Sequence, residues 1–343
     1  MKTSISIGGY DRSAIRGTVA FVKLAEALGV DYVWSAEAWG YDAATSLAYL
    51  AAVTERIKLG SGIMQISARV PSMTAMTALS LHHLSGGRFV LGLGASGPQV
   101  VEGLHGVPYE APLTRLRETV EIVRMAFRGE KLSYDGKYHQ LPRPGGEGKA
   151  IRLDHPATEI PIFLATLAPK SLAYTGAAAD GWLGTSFSPE HAEAHLAHIR
   201  AGAEAAGRTL GDLELHVSCA VSIGEDLPAM IDARRPQVAF SMGAMGSAKT
   251  NFYNAAFQRA GFAEDAKAIQ ALWIDGRREE AAARVPDEMV TQFGAFGPPE
   301  TVRERFAAYR AAGINALDLR LEPVPGSSRE ALLEQVMDLV DGL

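Results

Sequence analysis

The chain has 343 residues, 47% of them hydrophobic and 21% charged, with a formal net charge of −6 and a pI near 5.9. This balance suits a soluble globular fold and argues against disorder, a fibrous repeat or the basic surface that grips a nucleic-acid backbone. No apolar run reaches the roughly 18 to 20 residues of a membrane span, residues 1–20 lack a signal-peptide layout, and the single cysteine excludes an internal disulfide. The expected setting is the cytoplasm, with no membrane or nucleic acid as partner, and Cys219 is expected in the core.

In chain order, "SISI" at 4–7 reads as a first strand, and Val19, Val22, Leu24 and Leu28 mark the apolar side of a helix. "DYVWS" is a second strand, 43–54 a helix, "IKLGSGI" a third strand, and a helix over 72–84 leads to the strand "RFVLGL". Leu116, Val120, Val123 and Phe127 then recur at the spacing of one buried helix face over 113–127. A Gly- and Pro-rich stretch near 129–158 interrupts the alternation. It resumes with "IPIFLAT", a helix over 169–179, "GWLGT", a helix over 189–206 and "LELHVSCAVSI". Residues 224–297 hold several helical pieces, after which a helix over 299–312, the strand "ALDLRL" and a helix over 329–339 complete eight βα units.

The strands are nearly continuous apolar runs, as parallel strands covered on both faces require. Eight such units predict an α/β fold of the (β/α)8 barrel type, one domain over 1–343 with insertions at about 129–158 and 224–297. Three joints, "EALGVDYVW", "GAAADGWLG" and "RAAGINALDL", run from a helix through a small residue and an Asp or Asn into a strand. Gly29 and Gly313 stand where a helix end needs positive φ.

Gly92-Leu93-Gly94-Ala95-Ser96-Gly97 matches the G-x-G-x-x-G pattern of dinucleotide-binding folds. It follows the fourth strand, not the first, and Gly103, Gly106, Pro108 and Pro112 are expected to postpone any helix to about residue 113. Without a helix N-terminus to hold a pyrophosphate, the hexapeptide reads as the loop leaving a barrel strand, where active sites of this fold lie. Glycines there let a planar ligand approach bare backbone. Comparable segments leave the neighbouring strands: "SAEAWGYD", "GSGIMQ", "ATLAPK" and "GTS".

"GVDYVWSAE", "TERIKLGSGI", "LSGGRFVLGLGASGPQVVEG", "PLTRLRETVEIVR", "PIFLATLAPKSLAYTGAAADGW" and "FGPPETVRERFAAYRAAGIN" together resemble the luciferase-like monooxygenase superfamily, in its coenzyme F420-dependent oxidoreductase branch. The resemblance spans most of the chain outside the two insertions. It implies a barrel that places a 5-deazaflavin ring across the strand ends, with a non-prolyl cis bond at Gly62–Ile63. By the same resemblance the cofactor-binding residues are Gly62, Ile63, Gly94, Ala95, Ser96, Gly97, Gln99 and Val100 around the ring. Thr166, Leu167, Ala168, Lys170, Gly184 and Thr185 then surround the cofactor phosphate. Glu37 takes the place of an Asp that relatives pair with a His, but Ala38 follows it here. Glu37 is therefore expected either as the catalytic acid or base, or as a hydrogen-bond acceptor for the backbone. Trp39 and Tyr41 are expected beside ring or substrate, and Phe252 and Tyr253 in a roof over the pocket.

The implied activity is hydride transfer between the deazaflavin C5 and a small organic substrate, in a homodimer built through the helices after strands two and three. An FMN-dependent monooxygenase is the alternative, and a barrel that binds without turnover or an NAD dehydrogenase stand behind it. No metal is expected: His82 and His83 are adjacent and diverge on a helix. "GAMGSAKT" at 243–250 imitates a P-loop, but Ala248 replaces its second glycine.

Overall fold

The computed structural model describes residues 1–8, 15–247 and 250–343. Eight parallel strands close into a barrel: β1 (Lys2–Ile7), β2 (Tyr32–Ser35), β3 (Lys58–Ser61), β4 (Phe89–Gly94), β5 (Ile162–Leu164), β6 (Gly181–Gly184), β7 (Glu214–Ile223) and β8 (Ala316–Leu321). The ring closes where β1 pairs with β8, Lys2 opposite Ala316. The expected (β/α)8 fold is what the chain forms. Among the described residues no helix is long and apolar enough to cross a membrane.

Alternation along each strand separates two cores. Ile5, Val33, Leu59, Leu91, Val217, Cys219 and Leu317 face the surrounding helices. Tyr32, Trp34, Val90 and Phe163 fill the barrel interior, with the His216 ring edge-on to Tyr32, Trp34 and Phe163. Cys219 is buried as expected, and burial pushes its thiol up to about 12. The large Trp34 indole fits only because Gly60 opposes it: a Cβ there would lie 2.0 Å from the Trp34 ring.

The three joints acquire a physical reason. Asp31 accepts a hydrogen bond from the Thr3 N–H at 2.9 Å, Asp180 from Ile162 at 2.7 Å, and Asn315 from Leu215 at 2.7 Å. Each side chain thus satisfies an N–H at the start of the neighbouring strand, which would otherwise be lost at the barrel floor. Gly29 and Gly313 have φ of 86° and 91°, the conformation expected of them.

Several elements depart from expectation. The third strand breaks after Ser61, and Met64–Gln65 resumes pairing with β4. The helix expected over 189–206 is a short turn at Pro189–His191 followed by a helix at Glu193–Ala205. The 129–158 segment contains a two-stranded ribbon, Tyr134–Asp135 against Gln140–Leu141. Within 224–297, helices that include Leu227–Gly243, Phe252–Phe257 and Ala263–Ile274 pack around Met230, Met242, Ile269 and Met289. That segment ends in a strand, Gly294–Gly297, which pairs in parallel with β7 outside the barrel ring.

Candidate active site

The break after β3 is a bulge at the barrel mouth. Its Gly62–Ile63 bond is cis, as the family resemblance implied. Ser61 anchors one side: its hydroxyl donates to the Gly92 carbonyl and accepts from the Gly92 N–H, each at 2.9 Å. Gly62 N–H donates to Ser35 at 2.8 Å, and Glu37 N–H donates to the Ile63 carbonyl at 3.0 Å.

This packing answers the G-x-G-x-x-G question. A Cβ on Gly92 would stand 1.9 Å from the Ser61 carbonyl oxygen, and one on Gly94 would stand 3.0 Å from Ile63 Cδ1. The first two glycines therefore let the bulge press against β4. One detail corrects the sequence reading, because a short π-helical segment, Gln99–Leu104, begins well before residue 113. Val100 and Val101 both donate to the Gly97 carbonyl, at 3.1 and 3.0 Å, which is how the chain turns despite Gly103 and Gly106.

Glu37 is 9% exposed and fully engaged. Both its oxygens accept from the Arg69 guanidinium at 2.6 Å, and one also accepts from the Ala43 N–H at 3.1 Å. Of the two expectations for Glu37, the backbone-binding one describes its contacts. Trp39 and Tyr41 lie on the same turn but are 63% and 54% exposed, and neither lines the mouth cavity described below.

Ala95, Ser96 and Gly97 form a half-exposed shelf, with Ser96 in the left-handed region at φ 59°. Tyr109 donates to the Ser96 carbonyl at 3.4 Å. The Gln99 amide donates to the Gly246 carbonyl, so this loop is tied to the second insertion, while Val100 is buried. Gln65, buried behind the bulge, donates to the His105 ring at 2.6 Å, a contact with no signal in the sequence.

Across the mouth, the Thr166 hydroxyl is turned inward and shares a 2.7 Å hydrogen bond with Thr175, while the Thr166 carbonyl accepts from Trp182 Nε1 at 3.0 Å. Ala168 caps the helix Pro169–Ala178, and Lys170 is exposed at its first turn. Gly184 is buried against the Trp182 ring, and Thr185 faces the mouth cavity. Sequence reasoning missed Arg259, which arrives from the second insertion and donates to the Leu167 carbonyl at 2.7 Å. Its Nε is buried with no hydrogen-bond partner among the described residues, and burial lowers its pKa.

The other half of the mouth holds a cavity of about 550 Å3, bordered by Ser6, Thr185, Ser218, Gln237, Tyr253 and Arg320. Asp318 organises its floor, accepting from Ser6 at 3.0 Å and from Arg320 at 2.8 Å. Arg320 Nε also donates to the Ser218 hydroxyl at 3.2 Å, and Arg234 pairs with Glu322 at the wall. Burial raises the Glu322 carboxyl, with the Arg234 charge opposing. Tyr253 borders this cavity, whereas Phe252 does not. The P-loop imitation follows the helix Leu227–Gly243, and its residues 248–249 lie outside the described residues.

The fold and the bulged mouth define a (β/α)8 barrel with its candidate site at the C-terminal ends of the strands, and the comparisons specify its family. The family described as luciferase-like monooxygenase matches residues 2–316, and the chain belongs to that family. It is 37% identical over 92% of its length, and 94% of the relative's, to a Mycobacterium tuberculosis protein named as a coenzyme F420-dependent oxidoreductase. It is 31% identical to the 5,10-methylenetetrahydromethanopterin reductase of Archaeoglobus fulgidus over 86% of each chain. The solved coenzyme F420-dependent tetrahydromethanopterin reductase of Methanopyrus kandleri superposes with a TM-score of 0.79 at 26% identity, covering 99% of this chain and 98% of that one.

Proposed function

We propose that the protein is a coenzyme F420-dependent oxidoreductase that moves a hydride between the deazaflavin C5 and a small organic substrate. The observation that carries this reading is the Gly62–Ile63 bulge beside the half-exposed Ala95–Gly97 loop at the barrel mouth, next to a separate polar-lined cavity. The ring carbonyls of a planar tricycle need main-chain N–H donors of the kind the 95–97 shelf offers. The residues suited to its phosphate are the N-terminal turn of helix Pro169–Ala178, Lys170, Thr185 and Arg259, whose partnerless Nε fits an anion. When bound, the deazaflavin supplies a carbon that gives or accepts hydride, while the barrel supplies position and electrostatics.

Fluorescence titration of the purified protein tests this. Saturable F420 binding is the expected result, and binding of FMN without F420 overturns it in favour of the monooxygenase reading.

We also propose a homodimer. Tyr49 on helix Ala43–Val53, together with Val70, Met73 and Met76 at the start of helix Pro71–Leu84, forms an exposed apolar face on two adjacent helices. Apolar residues grouped in this way suit a second copy of the same surface.

A further inference from the structure

We propose, resting on the hydride-transfer reading above, that Tyr253 is the catalytic proton donor of this protein and that its substrate is a small carbonyl compound whose oxygen meets the Tyr253 hydroxyl. Ala38 removes the histidine otherwise expected beside Glu37, and Glu37 itself is occupied by Arg69 and the Ala43 N–H.

The cavity opposite the bulge is bordered by the hydroxyls of Ser6, Thr185, Ser218, Ser241 and Tyr253; Ser241 donates to the Gln237 carbonyl, and Thr185 lies on the side proposed above for the cofactor phosphate. Ser6 donates to Asp318, and Ser218 accepts from Arg320. Tyr253 borders the same cavity, and its hydroxyl has no hydrogen-bond partner among the described residues. The backbone that carries Tyr253 is anchored on both sides of it. Asn251, the N-cap of the short helix Phe252–Phe257, and Asn254 within it flank Tyr253, and both are buried. The Asn251 amide donates to the Met242 carbonyl at 2.7 Å and the Asn254 amide to the Ala266 carbonyl at 2.7 Å, while the Asn254 N–H donates to Asn251 Oδ1 at 3.0 Å.

The surrounding electrostatics agree. Burial raises the Tyr253 pKa, so the phenol keeps its proton at neutral pH, and the opposing influence is the Arg320 charge, which would steady a phenolate once formed. The other ionisable groups at this wall, Arg234 and Glu322, are paired with each other, and Asp318 is paired with Arg320.

In the reducing direction, hydride forms the new C–H bond at the carbonyl carbon as the C=O π pair moves onto oxygen. The Tyr253 O–H bond breaks and its proton goes to that oxygen. The carbonyl is reduced to an alcohol, the deazaflavin is oxidised, and the phenolate recovers a proton from solvent. The reverse direction takes the alcohol proton onto the phenolate.

The test uses the full chain with F420, reduced F420 and acetone, cyclohexanone or benzaldehyde, plus isobutyramide as a non-reducible carbonyl mimic. Wild-type protein should reduce at least one of the three. Tyr253→Phe should lower kcat by about 100-fold and flatten the alkaline limb of the pH profile. The same variant should weaken isobutyramide by about tenfold, the scale of one lost hydrogen bond, and leave F420 affinity unchanged. A protein that binds F420 yet reduces none of the three overturns the proposal, as does a Tyr253→Phe protein with wild-type kcat and amide affinity. Absence of F420 binding removes the cofactor reading, and this inference falls with it.

Discussion

His195 shows how one buried residue couples this barrel to pH. Its ring lies 5.5 Å from Trp182 and 5.9 Å from Phe187, and neither ring nitrogen has a partner among the described residues. Burial holds its pKa down to about 4, with the charges of Arg259 and His198 adding to the effect. The folded state therefore keeps this imidazole neutral while the unfolded chain protonates it near 6.5. Between those values the unfolded state binds more protons, so stability rises with pH from about 4 to about 6.5 and falls by roughly 3 kcal/mol in the acid direction. His195→Phe should remove that slope and leave neutral-pH stability equal or higher, because an aromatic ring suits the site without unsatisfied nitrogens. Urea unfolding of both proteins at pH 4.5 and 7 measures it, and parallel pH curves would refute the assignment.

Among elements, the bulge after β3 depends on its neighbours. Glu37 holds the Ile63 carbonyl through its N–H and ties the following chain through the Arg69 pair. Glu37→Ala leaves a guanidinium with 17% of its side chain exposed and no carboxylate. The expected cost is about 2–3 kcal/mol, between the limits for exposed and buried pairs, together with weaker F420 binding as the bulge shifts. Chemical denaturation and fluorescence titration read the two effects, and Glu37→Gln should recover part of both. A Glu37→Ala protein that binds F420 normally and loses only turnover would return Glu37 to the acid–base role. The second insertion acts as an element too. It contributes Arg259 to one side of the mouth, Tyr253 to the other and Gly246 to the Gln99 loop.

At the scale of the molecule, the apolar face of Tyr49, Val70, Met73 and Met76 carries the expectation of a dimer. Met73 and Met76 are three residues apart on one helix and so share a face. Replacing both with glutamate places like charges at a symmetric contact. Sedimentation should then report half the wild-type mass with an unchanged circular dichroism spectrum, and a wild-type protein that already sediments as a monomer would dismiss this face.

The order of strands and helices was legible because periodicity and loop glycines are local properties: a helix face repeats within the helix itself. "VDYVW" and "INALDL" each declare a strand and its preceding turn from a few residues. The family motifs likewise placed the bulge at Gly62–Ile63 and the shelf at 95–97. Other facts concern what a residue faces across space. Nothing near Gly92 in the chain says that Ser61 presses on it, nothing in "SAEAWGYD" says that Arg69 occupies Glu37, and nothing in "NFYNAAFQRAG" sends Tyr253 and Arg259 to opposite sides of one mouth. Sequence alone determined that this chain builds a (β/α)8 barrel with a glycine-rich rim, since burial patterns and turn chemistry are written residue by residue. Closure of the ring and the fold-back of the second insertion decided which side chains meet at that rim, because contacts between distant segments arise only when the packed core fixes their positions.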